Sequence, residues 1–302
     1  MLLYGFSWAQ NDHCRGKQDM YLEYYGFREK PFSITPNPRF IFLSKNHREA
    51  FAHLLYGVNS RCGFIQLTGE VGTGKTTVLR TFLNRLDEDG YRTALIFNPC
   101  LSSDELLRTI NCDFAIPHED LSRAQLLEVL NIFLLEQREA GRIVVLVIDE
   151  AQNLAADVLE QIRLISNLET ETEKLIQIIL AGQPELEKLL ARTELRQLKQ
   201  RILVRYHLLP MDFEDTKGYV EHRLELASGG VIFSASALKK IFRYSGGIPR
   251  LINIVCDRAL LVGFAEGSRE IRGGMAGTAI AEVENSRRGW WKRLWCRLRL
   301  AD

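Results

Sequence analysis

The residues with the most chemical content form one run, Gly69-Glu70-Val71-Gly72-Thr73-Gly74-Lys75-Thr76-Thr77. It satisfies G-x-x-x-x-G-K-[ST] at every fixed position. Glycines in these places let the backbone curl until successive N–H groups point at a phosphate. A helix starting here turns its positive end toward the same anion. Lys75 supplies a point charge for the β and γ oxygens, and the Thr76 hydroxyl suits Mg²⁺. A second site, the acidic pair Asp149-Glu150, ends the apolar run Ile143–Ile148. At the C-terminal end of a buried parallel strand, Asp149 would hold the Mg²⁺ shell and Glu150 would polarise an attacking water. Together the two sites predict a chain that binds and hydrolyses ATP with Mg²⁺.

These residues need a strand, a loop and a helix in order, and the pattern supplies them. Phe64 to Thr68 reads as a strand, and Thr77 to Leu83 as a helix with Val78, Phe82 and Leu86 at helical spacing. Tyr91 to Asn98, Ile143 to Ile148 and Lys174 to Ala181 read as further strands, and Ile202 to Leu209 as another. Between them lie helices over Ser103 to Cys112, Ser122 to Ala140 and a stripe Leu159, Ile162, Ile165, Leu168. Ser122 with Gln125 forms a capping-box pattern, and Pro184 suits the first turn of the next helix. Alternation of this kind predicts an α/β fold, a parallel sheet sandwiched by helices.

After Pro210 helices take over: Asp215 to Ala227, a second capped by Ser234 and stopped at Gly246-Gly247, and a third from Arg250 to Ala265. They predict a small helical lid. The expected organisation is an N-terminal extension of doubtful structure (1–19), a nucleotide-binding domain (20–210), a lid (211–268), and a polar linker with a basic, Trp-rich tail (269–302). Met20 is a candidate natural start. His47 to Val58 reads as a helix with Phe51, Leu54, Leu55 and Val58 on one face. Tyr21 to Phe42, including the run Pro31 to Phe40, is too rich in proline for a helix and predicts a strap laid over the domain. Its aromatics suit core packing, with a direct adenine contact the other reading.

Net charge is +1 over 302 residues, so no global basic field marks nucleic acid as the main partner. The cysteines are scattered without metal-ligand spacing, which predicts structural thiols in a reducing compartment. No apolar run approaches a membrane span. The tail concentrates Arg287, Arg288, Lys292, Arg293, Arg297 and Arg299 around Trp290, Trp291 and Trp295. If helical, it presents Trp291, Leu294, Trp295 and Leu298 on one face, suited to an anionic membrane surface; a disordered basic tail is the alternative.

The chain resembles AAA+ ATPases, and more closely the general secretion pathway protein A (ExeA-like) group with its relatives in pilus biogenesis. The resemblance runs from Met20 to about Gly267. It is carried by PFSITPNPRF (31–40), HREAFAHLLYG (47–57), LTGEVGTGKTT (67–77), VIDEAQNL (147–154), LAGQPEL (180–186), RQLKQRI (196–202) and SGGIPRLINIVCDRAL (245–260). It implies that Gln183 is the polar sensor of the γ-phosphate, although a turn residue before Pro184 fits the same place. It implies that Arg250 is the second sensor, on the lid. Arg201 becomes the candidate arginine finger acting on a neighbour's site, with Arg196 and Arg205 as fallbacks. It further implies a homo-oligomer that assembles a secretion or pilus apparatus at the cytoplasmic face of the inner membrane. Larger members of the group continue into a transmembrane helix and a peptidoglycan-binding domain, so a direct cell-wall role is not expected here. The competing expectation is a DNA-associated regulator of the transposition-ATPase type.

Overall fold

The computed structural model describes residues 21–35, 38–86, 90–97, 101–169, 173–230 and 232–298, without the side chains of 38 and 286–298. The expected extension 1–19 and the tail side chains lie outside the described residues. The chain divides into two compact units, Leu43–Pro210 and a second made of Met1–Phe42 with Met211–Asp302.

The first unit opens with α1 (Lys45–Asn59), then β1 (Phe64–Gly69), α2 (Lys75–Leu86) and β2 (Tyr91–Ile96). It continues through α3 (Ser103–Asp113), α4 (Arg123–Glu139), β3 (Ile143–Ile148) and α5 (Ala156–Ile165). It closes with β4 (Ile176–Gly182), α6 (Glu185–Leu190), α7 (Arg196–Arg201) and β5 (Ile202–Leu208). The strands form one sheet in the order β2-β3-β4-β1-β5, with every pairing parallel. Both faces are covered. On β3, Val144, Leu146 and Ile148 enter the core on one side, while Val145 and Val147 enter the other with Ile65, Leu67, Phe82 and Leu54. Strands apolar on both faces are what such a sandwich requires. Ser122 caps α4 in a reciprocal box with Gln125, and Ser102 does the same for α3 with Glu105. β1 and β3 sit one strand apart, on either side of β4. Their C-terminal ends therefore open at the same edge of the sheet, where ligands bind in folds of this kind.

The second unit is helical: α8 (Phe213–Leu226), α9 (Ala235–Ser245), α10 (Pro249–Ala265) and α11 (Gly273–Leu298). Ser234 caps α9, and Gly246 stops it in the left-handed region at φ 58°. Two features differ from the sequence expectation. Residues 21–42, expected with the nucleotide domain, share the helical unit's core, because Tyr21, Phe27 and Phe32 are buried against Tyr219, Leu224, Phe233 and Val255. The aromatics of the strap are core residues. Arg223, itself buried, donates to the carbonyls of Pro31 (2.9 Å) and Ser33 (3.2 Å) and lies over the rings of Phe40 and Tyr219. It holds the strap by groups that a proline-rich segment cannot pair within itself. The expected polar linker from 269 is instead helix α11. Its Ala276, Ala279 and Val283 are buried at helical spacing, so tertiary packing overrides the low helix propensity of its glycines. Among the described residues, no helix is long and apolar enough to cross a membrane.

Candidate nucleotide site

The loop between β1 and α2 has the backbone its sequence demands. Gly72 and Gly74 take φ of 85° and 100°, in the region that side chains resist. The loop closes on itself: Thr73 Oγ1 donates to the Glu70 carbonyl at 2.8 Å. Lys75 is buried, and its ammonium donates to the carbonyls of Gly69 (2.8 Å) and Glu70 (3.1 Å). Burial holds its pKa below lysine's ordinary value, and the carboxylates of Glu150, Asp149, Glu70 and Glu185 pull it back up.

Thr76 and Asp149 meet. The threonine hydroxyl donates to Asp149 Oδ2 at 2.7 Å, across a gap of 73 residues in sequence. A hydroxyl and a carboxylate side by side are hard oxygen donors, the set that Mg²⁺ takes when most of its ligands are water and phosphate. Asp149 Oδ1 also accepts from the Glu150 N–H at 2.9 Å, which fixes the carboxylate. Glu150 itself sits in the left-handed region, φ 55°, just where β3 gives way to a short turn. A non-glycine residue held there is costly and marks a constrained place. Its Oε2 accepts from Gln152 Nε2 (2.6 Å) and Gln183 Nε2 (3.1 Å). Loop, lysine, threonine, two carboxylates and Gln183 thus converge at the C-terminal edge of the sheet. A phosphate-sized anion with a hard divalent cation fits that donor set.

Two further residues, to which the sequence alone assigns no role, hold this arrangement. Gln152 bridges Glu150 and the Gln183 backbone, whose N–H donates to Gln152 Oε1 at 3.0 Å. His47 on α1 is buried, and its Nε2 donates to the Thr73 carbonyl at 2.8 Å while Ser44 Oγ lies 2.6 Å from Nδ1. A Cβ at Gly74 would stand 2.7 Å from that Nε2. The available signal for His47 was its spacing with Ala50 and Leu54, a polar residue on the buried stripe of α1.

The three candidate fingers have different surroundings. Arg201 donates to Ser166 Oγ at 3.1 Å and to Asn167 Oδ1, so its guanidinium is committed to the end of α5 in its own chain. Arg205 donates to the Lys199 carbonyl at 2.6 Å. Arg196 is exposed on α7, in a cavity that it lines with Arg192, Lys199 and Arg205. Arg250 is exposed in the first turn of α10, within the helical unit.

Comparison with known proteins agrees with this architecture. The family model described as "AAA domain" matches residues 58–190. Over 277 residues the chain is 47% identical to general secretion pathway protein A of Aeromonas hydrophila, covering 90% of this chain and 50% of that protein. The chain thus spans about half the length of this relative. Among solved structures it superimposes on the ORC2 protein of Aeropyrum pernix with a TM-score of 0.63 at 18% identity, covering 85% of this chain and 72% of the other. Drosophila ORC bound to DNA gives a TM-score of 0.65 at 16% identity, over 94% and 70% of the two chains. RuvB of Thermotoga maritima gives 0.54 at 17% identity, over 78% and 68%. These structural likenesses speak to the fold. With a phosphate loop, an acidic strand end, this sheet order and 47% identity to the secretion protein, the chain belongs to the ExeA-like group of AAA+ proteins.

Proposed function

We propose that this chain hydrolyses ATP with Mg²⁺ and couples turnover to assembly of a secretion or pilus apparatus at the cytoplasmic face of the inner membrane. The observation that carries the reading is the Thr76–Asp149 bond beside a Glu150 carboxylate held by two amides. The loop N–H groups and Lys75 bind and neutralise the phosphates. Thr76 and Asp149 would hold Mg²⁺, which when bound neutralises charge developing on the phosphate oxygens. Glu150 orients the attacking water and accepts its proton. Gln183 presents its amide to the same space, and Arg250 is the lid's candidate contact to nucleotide. The similarity to general secretion pathway protein A supports the secretion context. Glu150→Gln should leave ATP affinity within about twofold and slow turnover by ~10²–10⁴, the contribution of a positioned base. Equilibrium binding beside phosphate release reads the two separately, and wild-type turnover in this variant would remove Glu150 from the reaction.

A homo-oligomer is part of the proposal, with an arginine supplied to a neighbour's site. Because Arg201 is committed within its own chain and Arg196 is exposed, Arg196 takes first place among the three candidates. Arg196→Ala should keep ATP affinity and lose turnover by ~10³ or more. Mixed with Lys75→Ala, it should regain part of it, since each protein then supplies what the other lacks. A dead mixture, with Arg201→Ala as the inactive single variant, would return the role to Arg201.

A further inference from the structure

Glu150 leaves β3 with its backbone in the left-handed region, so no regular element aims its carboxylate. Side-chain bonds do. Two donors fall on one oxygen, Oε2: Gln152 Nε2 at 2.6 Å and Gln183 Nε2 at 3.1 Å. The other end of the Gln152 amide takes the Gln183 backbone N–H at 3.0 Å. This orientation is dictated by chemistry, because a backbone N–H only donates and an ionised carboxylate only accepts. A separate observation points to the same amide. The last residue of β4 is Gly182, and a Cβ there would stand 2.5 Å from Gln152 Oε1, 3.2 Å from Leu186 Cδ2 and 3.4 Å from the Gln152 nitrogen. The strand ends in glycine where the bridging amide fills the space.

We infer that Gln152 is a positioning residue that ties the base to the end of β4, so that Glu150 keeps its aim when Gln183 exchanges its partner. This rests on Glu150 serving as the base, as proposed above. Of the two donors on Oε2, Gln183 is the one at the strand end, and its amide is the one an incoming phosphate oxygen would draw away. Gln152 is held at both ends, by Glu150 and by the backbone of residue 183. It therefore stays and leaves the carboxylate in place with one bond fewer. The freed lone pair is then available to a water proton.

The test uses the full chain and two readouts. Gln152→Ala should lower kcat by at least about tenfold, part of the ~10²–10⁴ a positioned base contributes, with KM and ATP affinity within about twofold. Gln152→Glu keeps the acceptor for the Gln183 N–H and sets a second carboxylate against Glu150. The two carboxylates repel and push the base off its aim, so kcat should fall here too, with KM within about twofold. The second readout needs no nucleotide: hydrogen exchange at the Gln183 amide should quicken in Gln152→Ala and stay protected in Gln152→Glu. Should the alanine variant fail to fold, the glutamate variant carries the kcat and exchange tests and Gln183→Ala reports the loss of the second donor. Unchanged kcat in Gln152→Ala or in Gln152→Glu, or equal protection of the Gln183 amide in all proteins, would each overturn the bridge. Normal turnover in Glu150→Gln would overturn the base and the coupling with it, while the exchange result still decides whether the bond exists.

Discussion

The two units bury polar groups for opposite ends. In Leu43–Pro210 one group of buried polar residues gathers at the site: Lys75 on carbonyls, Asp149 against Thr76, His47 against Thr73. None of these is the cheapest way to fill that space, since a desolvated cation and paired carboxylate cost more than apolar packing of the same volume. In the helical unit the core is mostly apolar, and among the described residues its buried charged group is Arg223, which pins residues 31–33 and lies over the rings of Phe40 and Tyr219. There the polar contact ties a segment that has little secondary structure. The first unit spends stability on a site that must receive an anion; the second uses one cation to close its core. The consequence is a clean separation between variants that lose binding and variants that lose stability.

The largest expected effects test the first half of that contrast. Lys75→Ala should weaken ATP binding by ~10² or more, because the charge opposite the phosphates is gone. The same change relieves the burial of a cation, which offsets the two carbonyls it leaves without a donor, so the nucleotide-free protein should melt within a few degrees of wild type. Gly74→Ala should also abolish binding, for a steric reason: φ is 100° and the new Cβ meets His47 Nε2 at 2.7 Å. Fluorescent-nucleotide titration with thermal melts separates the two. Lys75→Ala that binds normally, or that melts many degrees lower, would break the comparison.

The second effect is smaller and belongs to the helical unit. Arg223→Met keeps the aliphatic stem but leaves the Pro31 and Ser33 carbonyls without their donor. Hydrogen bonds to a charged donor carry about 1.5–3 kcal/mol, so a loss of about 3 kcal/mol is expected in urea unfolding. ATP affinity should stay within about twofold. A variant that loses nucleotide binding as severely as Lys75→Ala would show that the strap and the site are not separable.

What could be read in advance follows how local each cause is. The phosphate loop, the acidic end of β3, the Ser122 box and the Gly246 stop are each set by residues within a turn of one another, and the chain states them in order. Gln152 and His47 have meaning only through contacts with residues 31 and 26 positions away, Gln183 and Thr73. Arg201 looked like the free cation of a basic helix until the chain brought Ser166 and Asn167, 35 and 34 positions back, against it. The strap was readable as irregular and aromatic, but nothing local says which core its rings enter. Helix α11 was missed for a related reason. Gly273, Gly274 and Gly277 lower its propensity, whereas its stability comes from Ala276 and Ala279 docking in the helical core and from the burial of Val283.

That last cause can be isolated with the smallest effect of the series. Gly273 and Gly274 are neighbours in the first turn of α11 with equal propensity costs. A Cβ at Gly274 would meet nothing within 4 Å, whereas at Gly273 it would stand 3.0 Å from Ser236 Oγ and 3.3 Å from Ser236 Cβ. If packing holds the helix and glycine only weakens it, Gly274→Ala should stabilise the protein by about 0.5–1 kcal/mol through lost freedom in the unfolded chain. Gly273→Ala makes the same entropic gain but must push aside the Ser236 side chain, whose Oγ accepts from the Gly273 N–H at 3.2 Å. It should be neutral or destabilising by a similar amount. Paired urea titrations give the difference directly. Equal stabilisation by both would mean that α11 does not approach α9 closely at this turn and is held mainly by its later residues; destabilisation by both would mean that the turn needs glycine's conformational freedom, not merely its small size.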